Sequence, residues 1–316
     1  GTDTACVPPC AVPPMVPRPG GAGGPTKRTG GGSNACRDKN VSKRGYHIML
    51  PTVDFCGLRV TRLIIGANPF GGFSHQNKER DAEMVAYYTP ERIRETWERA
   101  RAAGINTMIT NNETPHVIDT VRKYLAEDGP LQWIAQLSCR HLPNMEAAID
   151  QAADIGCKAA YLHGGFIDGL YEKRDEETLV RWVNHARNRG IPIGTAGHHP
   201  DVHDWVDSLD IVDFHVVCFF NCGSLHSGRG HKFKLADVFS AVECIQRLEK
   251  PCIGYKVLGA GRIDPQMGFE FAYENIKPGD VVNVGMHRGD NDNMVEENVA
   301  MVEDVLGSLE TAEADA

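Results

Sequence analysis

From Leu58 onward, short runs of β-branched and other apolar residues alternate with longer stretches in which apolar positions recur every three or four residues. Continuous apolar runs of this length suit strands buried on both faces, and the three-to-four spacing suits helices with one apolar face. Most helical stretches end at a Gly or Pro before the next run begins. The pattern predicts strands over roughly 60–66, 105–111, 131–138, 157–163, 191–197, 211–219, 251–257 and 280–286. Helices are predicted between them, over roughly 90–103, 115–126, 144–155, 175–189, 201–209, 233–249, 264–276 and 291–309.

Eight strand–helix pairs in about 250 residues have the size and order of an α/β chain folded as a (β/α)8 TIM barrel. The alternative, a doubly wound open sheet, normally carries Gly-x-Gly-x-x-Gly after its first strand. The segment Gly66-Ala67-Asn68-Pro69-Phe70-Gly71-Gly72 does not match it. Ahead of the barrel, residues 1–48 hold Pro-Pro pairs and Gly runs with no apolar period. Such a segment buries too little surface to offset the entropy of ordering, so a disordered extension over 1–48 is expected in front of a barrel domain over 49–316. It has neither the apolar core of a secretory signal nor the amphipathic helix of a transit peptide, and the folded product is expected to start near Met49.

Composition narrows the partners. The 316 residues are 41% hydrophobic and 24% charged, with a formal net charge of −9. An acidic chain with scattered Lys and Arg is not built to meet a phosphate backbone, and no apolar run is long enough to cross a bilayer. Nucleic acid and membrane are therefore not expected as partners, and a small-molecule substrate is. Of the ten cysteines, three lie in the extension and the rest stand singly, several in apolar runs. This is the pattern of buried free thiols in a reducing compartment, so a cytoplasmic location is expected.

In a barrel of this kind the active site lies at the carboxyl ends of the strands, and side chains alternate between interior and helix layer. Alternation predicts Asn283, Gly285 and His287 facing inward on the eighth strand, with Val282, Val284 and Met286 outward. On the sixth it predicts His215, Val217, Phe219 and Asn221 inward, with Phe214, Val216 and Cys218 outward. The seventh gives Lys256 inward, with Ile253, Tyr255 and Val257 outward; the fourth gives Tyr161 and His163; the second and third give Asn111 and Gln136. Polar groups crowded into such a space need one another, water, a metal or a ligand. Any one of them alone is more simply a satisfied core residue. Their convergence points to a site, with Asn68, Asn111, Gln136, Asn221 and Asn283 as substrate-binding candidates.

Four further pieces of sequence carry a resemblance. They are Gly57-Leu58-Arg59-Val60-Thr61-Arg62-Leu63-Ile64-Ile65-Gly66, Ala102-Ala103-Gly104-Ile105-Asn106, Lys256-Val257-Leu258-Gly259-Ala260-Gly261-Arg262, and Val284-Gly285-Met286 followed by Glu296-Glu297-Asn298. In this order and spacing, across Leu58 to Leu309, they resemble the aldo-keto reductase superfamily. The resemblance implies an aldo-keto-reductase-like barrel and a nicotinamide cofactor, NAD or NADP, with Lys256, Gly259, Gly261 and Arg262 near its pyrophosphate. The family reduces carbonyls with an Asp, Tyr, Lys and His set. Here Met108-Ile109-Thr110 stands at the Asp position, Ile134-Ala135-Gln136-Leu137-Ser138 at the Lys position, and no Tyr follows in Asn111-Asn112-Glu113-Thr114-Pro115. His163 alone matches. The carboxylates of Arg288-Gly289-Asp290-Asn291-Asp292 oppose an adenosine phosphate, which disfavours NADP.

Histidine offers replacement chemistry. Three imidazoles with an open position are a common catalytic metal set, and His163, His199, His215 and His287 are the candidate ligands for a divalent Zn, Mn, Fe, Co or Ni ion. Neighbouring His198 and His199 point opposite ways from a strand, so one of them enters the site. His163, Lys256 and Glu113 are the candidate catalytic residues, with Glu113 or Gln136 as oxygen ligand or base. The expected activity is a metal-assisted isomerase, lyase or hydrolase acting on a small carbonyl or carbohydrate-type substrate. The alternatives are a nicotinamide-dependent oxidoreductase with displaced catalytic residues and a non-catalytic binding or scaffold barrel. The Gly-rich basic loop over 221–231 is expected to cap an anion or to serve as a lid.

Overall fold

The computed structural model of the protein describes residues 50–220 and 233–314. The expected extension over 1–48, Asn221 and the loop over 221–231 lie outside the described residues. The first elements form a hairpin, β1 (Thr52–Phe55) against β2 (Leu58–Thr61), in the register Thr52↔Thr61 to Phe55↔Leu58. Its two-residue turn places Cys56 at φ 54° and Gly57 at φ 81°, the left-handed pair that matches strand twist in a tight hairpin. The Gly57 N–H donates to Asp54 Oδ1 at 2.8 Å. The single strand expected over 60–66 is thus divided at Arg62 between the hairpin and the barrel.

Eight parallel strands then close on themselves: β3 (Leu63–Gly66), β4 (Thr107–Asn111), β5 (Gln132–Leu137), β6 (Ala159–Leu162), β7 (Ile193–Gly197), β8 (Phe214–Cys218), β9 (Cys252–Tyr255) and β10 (Val281–Gly285). Closure is made by β10 beside β3, with Val282 opposite Leu63. The helices are α1 (Lys78–Tyr87), α2 (Pro90–Ala102), α3 (Pro115–Ala126), α4 (Met145–Ile155), α5 (Gly164–Lys173), α6 (Glu176–Asn188), α7 (Pro200–Ser208), α8 (Leu235–Arg247), α9 (Pro265–Asn275) and α10 (Met294–Ala314). Pro opens α2, α3, α7 and α9, where its missing N–H costs no hydrogen bond. Two helices went unpredicted. In α1 the one buried residue is Met84, so no apolar stripe marks it, and α5 opens on two glycines. Among the described residues no helix is long and apolar enough to cross a membrane.

The barrel interior is filled by Ile64, Ile109, Ile134, Ala159, Tyr161, Ala196, Phe214, Val216, Ile253 and Val281, joined by Phe55 and Val60 from the hairpin. Phe55 is fully buried and meets Phe214, the first residue of β8, edge-on at 5.1 Å. The hairpin therefore plugs the amino-terminal end of the barrel. Two alternation assignments are corrected here. On β8, Phe214 and Val216 face inward, because Gly194 on β7 leaves room for the Phe214 ring: a Cβ there would lie 2.5 Å from it. His215 accordingly turns into the helix layer. On β9, Ile253 and Tyr255 face inward. Lys256 follows the strand end at φ 59°, and left-handed backbone rather than strand alternation brings it to the mouth.

Candidate active site

At the carboxyl ends of the strands lies a cavity of about 580 Å³. Its walls carry Asn111, Gln136 and Asn283 from strands, Asn68 from the turn after β3, Glu113 after β4, His163 after β6, His198 after β7, Lys256 after β9 and His287 after β10. Deeper in, the Tyr161 hydroxyl donates to Gln136 Oε1 at 2.9 Å. Burial pushes the Tyr161 and Tyr255 phenols well above their ordinary range, so both stay protonated.

Glu113 is committed: its carboxylate accepts from Ser138 Oγ at 2.6 Å and from Arg140 Nη1 at 2.9 Å. Asn111 Oδ1 accepts the N–H groups of Glu113 and Thr114 at 3.1 and 2.8 Å, shaping the turn into α3. His163 caps α5, its Nδ1 accepting from the Gly165 N–H at 3.0 Å. The loops after β3 and β9 are laced together across the mouth. Gln76 Nε2 donates to the Ala260 carbonyl at 3.0 Å, and Arg262 Nη2 donates to the His75 carbonyl at 3.4 Å. His75 and Ala260 both hold left-handed backbone at φ 56° and 55°, a local strain these cross-mouth contacts oppose.

The most organised feature is a pair the sequence did not connect. His198 Nδ1 lies 2.7 Å from Asp168 Oδ2, and the His198 backbone N–H donates to Asp168 Oδ1 at 3.2 Å. Both residues are buried, Asp168 on α5 and His198 at the end of β7, where Gly194, Ala196 and His198 share the inward face. One carboxylate thus fixes an imidazole by ring and backbone together. The signal was an Asp between Ile167 and Leu170, a charge on the buried face of a helix.

The expected metal set is not brought together. His163 and His287 line the cavity, but His199 is the partly exposed N-cap of α7, accepting from the Asp201 N–H at 3.2 Å. Of the neighbouring histidines, His198 is the one that enters, because inward alternation on β7 falls on it. His215 sits behind the wall, its Nδ1 3.3 Å from His203 Nδ1 and its Nε2 3.3 Å from Asp207 Oδ1. Burial, first of all, holds both of these imidazoles down at a pKa of about 3, so they are neutral at neutral pH. The described cysteines Cys56, Cys139, Cys157, Cys218, Cys244 and Cys252 form no disulfide with one another, and burial raises every one of their thiols.

The expected dinucleotide contacts are also divided. Lys256 and Gly261 line the cavity, whereas Gly259 and Arg262 do not. Arg262 donates to the Gly259 carbonyl at 3.0 Å and stacks 4.0 Å from the Phe233 ring, besides holding His75. Its guanidinium is a brace between loops. The cavity wall carries both signs of charge, Arg80, Arg140 and Lys256 beside Glu113, Asp290 and Glu297.

No protein-family model matches the chain, and no curated protein matches it. Among solved structures, one described as a "putative aldo-keto reductase" from Pseudomonas aeruginosa is similar at 17% identity and a TM-score of 0.56, covering 83% of this chain and 96% of that one. A second structure of the same description aligns at 17% identity and a TM-score of 0.56, covering 84% and 99%. The likeness is one of fold: the chain is a closed (β/α)8 barrel similar in fold to these two structures, and its chemistry has to be argued from its own side chains.

Proposed function

We propose that the protein is an enzyme that moves a proton on a small, polar, hydroxyl- or carbonyl-bearing compound, carbohydrate-like in its demand for hydrogen bonds. The observation that carries this reading is the buried Asp168–His198 pair opening onto a polar cavity. A carboxylate on Nδ1 selects the tautomer and stabilises the imidazolium, which is what a histidine needs to act as base and then as acid. His198, rather than the expected His163 or Glu113, is therefore the proton-transfer residue. Glu113 orders Ser138 and Arg140, and His163 is occupied in capping α5. The Lys256 ammonium and the carboxamides of Asn68, Gln136 and Asn283 supply donors and acceptors for substrate oxygens, and about 580 Å³ suits a small ligand.

The test is proton exchange. The full chain is incubated in deuterium oxide with a panel of aldoses, ketoses and hydroxy acids, and the hydrogen beside the carbonyl is followed by NMR. Exchange is expected for at least one member, with the rate falling by at least about a hundredfold in His198→Ala. Exchange that survives in this variant at the same rate sinks the reading. Turnover that instead consumes reduced nicotinamide would favour the reductase alternative, which Lys256 and Gly261 on the cavity wall support.

A further inference from the structure

We propose that Glu83, His287 and Asp290 form a binding site for one divalent first-row cation of the zinc, cobalt or nickel type, at the edge of the cavity. Each of the three offers a ligand atom, and these atoms lie within 4.8 Å of one another. Metal–ligand bonds near 2.0–2.2 Å set the ligands of a tetrahedral ion roughly 3.5 Å apart, so closure needs movements of little more than about 1 Å. The carboxylate side chains can supply it, since Glu83 is 59% exposed and Asp290 45%.

The independent observation is His287 itself. Its ring is buried at 4% exposure, yet neither Nδ1 nor Nε2 has a hydrogen-bond partner among the described residues. A buried imidazole with both nitrogens unmet is a cost the fold ordinarily avoids. The ring is held in place by the aromatic groups of Tyr87 and Tyr88, at 5.3 and 5.5 Å between centroids. Its backbone is fixed beside it, where the Arg288 N–H donates to the Tyr88 hydroxyl at 2.9 Å. Gly289 keeps the ring's edge open: a Cβ there would lie 2.6 Å from Nε2.

Charge and donor type narrow the ion. Arg80 Nη1 binds Glu83 Oε2 at 2.8 Å, and Nη2 binds Asp290 Oδ2. Each carboxylate keeps its second oxygen, and two carboxylates with one guanidinium leave a net charge of about −1, that of a His2Glu zinc site. Magnesium and calcium take six or more oxygen ligands, which two carboxylates and an imidazole do not supply. A ligand nitrogen favours ions that bind imidazole well. His287 and Asp290 also line the cavity, so the ion would border the ligand space. This site does not depend on the role given to His198.

The experiment is zinc titration of the chelator-stripped full chain, by calorimetry and by competition with a chromophoric chelator. Cobalt substitution then reports the ligand set through its visible spectrum. One site per chain is expected, weakened at least about tenfold in His287→Ala and in Asp290→Asn, and unchanged in His199→Ala. Asp290 is surface-exposed, so its variant keeps the test decisive if His287→Ala fails to fold. Absence of a one-to-one site, or a site of unchanged affinity in Asp290→Asn, overturns the proposal.

Discussion

The two ends of the barrel are built on opposite principles. At the amino-terminal end, Phe55 and Val60 of the hairpin continue the apolar interior without a break. At the carboxyl end the same strands finish in carboxamides, imidazoles and an ammonium around open space. Strand alternation is shared by both, so the difference comes from the polar residues at the last inward strand positions, Asn111, Gln136 and Asn283, from the loops that leave the strands and from the hairpin ahead of the first. Barrels of this kind carry stability at the closed end and chemistry at the open one, a division that lets a barrel change its reaction without rebuilding its core.

That division can be broken from either side. The largest effect is expected at the mouth: His198→Ala should lower turnover by about 10² to 10⁴-fold, with a smaller fall in Asp168→Asn, while the urea midpoint of unfolding moves little. Steady-state rates alongside denaturation curves check this, and a parallel collapse of stability would show that the pair is structural. Phe55→Ala should do the reverse, costing about 3–5 kcal/mol in chemical denaturation while the folded molecules keep their turnover. A loss near that of a surface substitution would mean that the hairpin does not seal the floor.

An intermediate effect belongs to the wall between them. His203 and His215 have folded pKa values of about 3 against an ordinary 6.5. The unfolded chain therefore binds more protons than the folded one in that window, and stability is lost as pH falls below about 6.5, a loss complete near 3. Unfolding free energies measured across that range should show this slope, and His203→Gln should flatten it. The smallest effect is expected at the hairpin turn: Asp54→Ala removes the acceptor for the Gly57 N–H and should cost about 0.5–1 kcal/mol in the same assay.

Most of the fold was legible because apolar periodicity reports burial, and burial is what the barrel strands and most helices share. The hairpin was hidden inside the first apolar run, and α1 and α5 were hidden by weak or Gly-broken patterning. The site was legible only where alternation continued to the strand end. Asn111, Gln136, Tyr161 and Asn283 were placed by it, whereas Lys256 arrived by left-handed backbone and β8 was read in the wrong phase. His215 misled because the phase of β8 differs by one residue from the parity applied to it; its ring meets His203 and Asp207 in the wall instead. Asp168 could not be paired with His198 from sequence, since thirty residues separate them and only the packing of α5 beside β7 brings them together.

The plugged floor has a kinetic consequence. With Phe55 and Val60 closing one end of the barrel, the doorway that the described residues leave to a ligand is the mouth, and whatever is formed inside must leave by the route its precursor entered. Entry and departure then exclude each other in time, and in the proposed reaction accumulated product should slow turnover by competing directly with substrate for that passage.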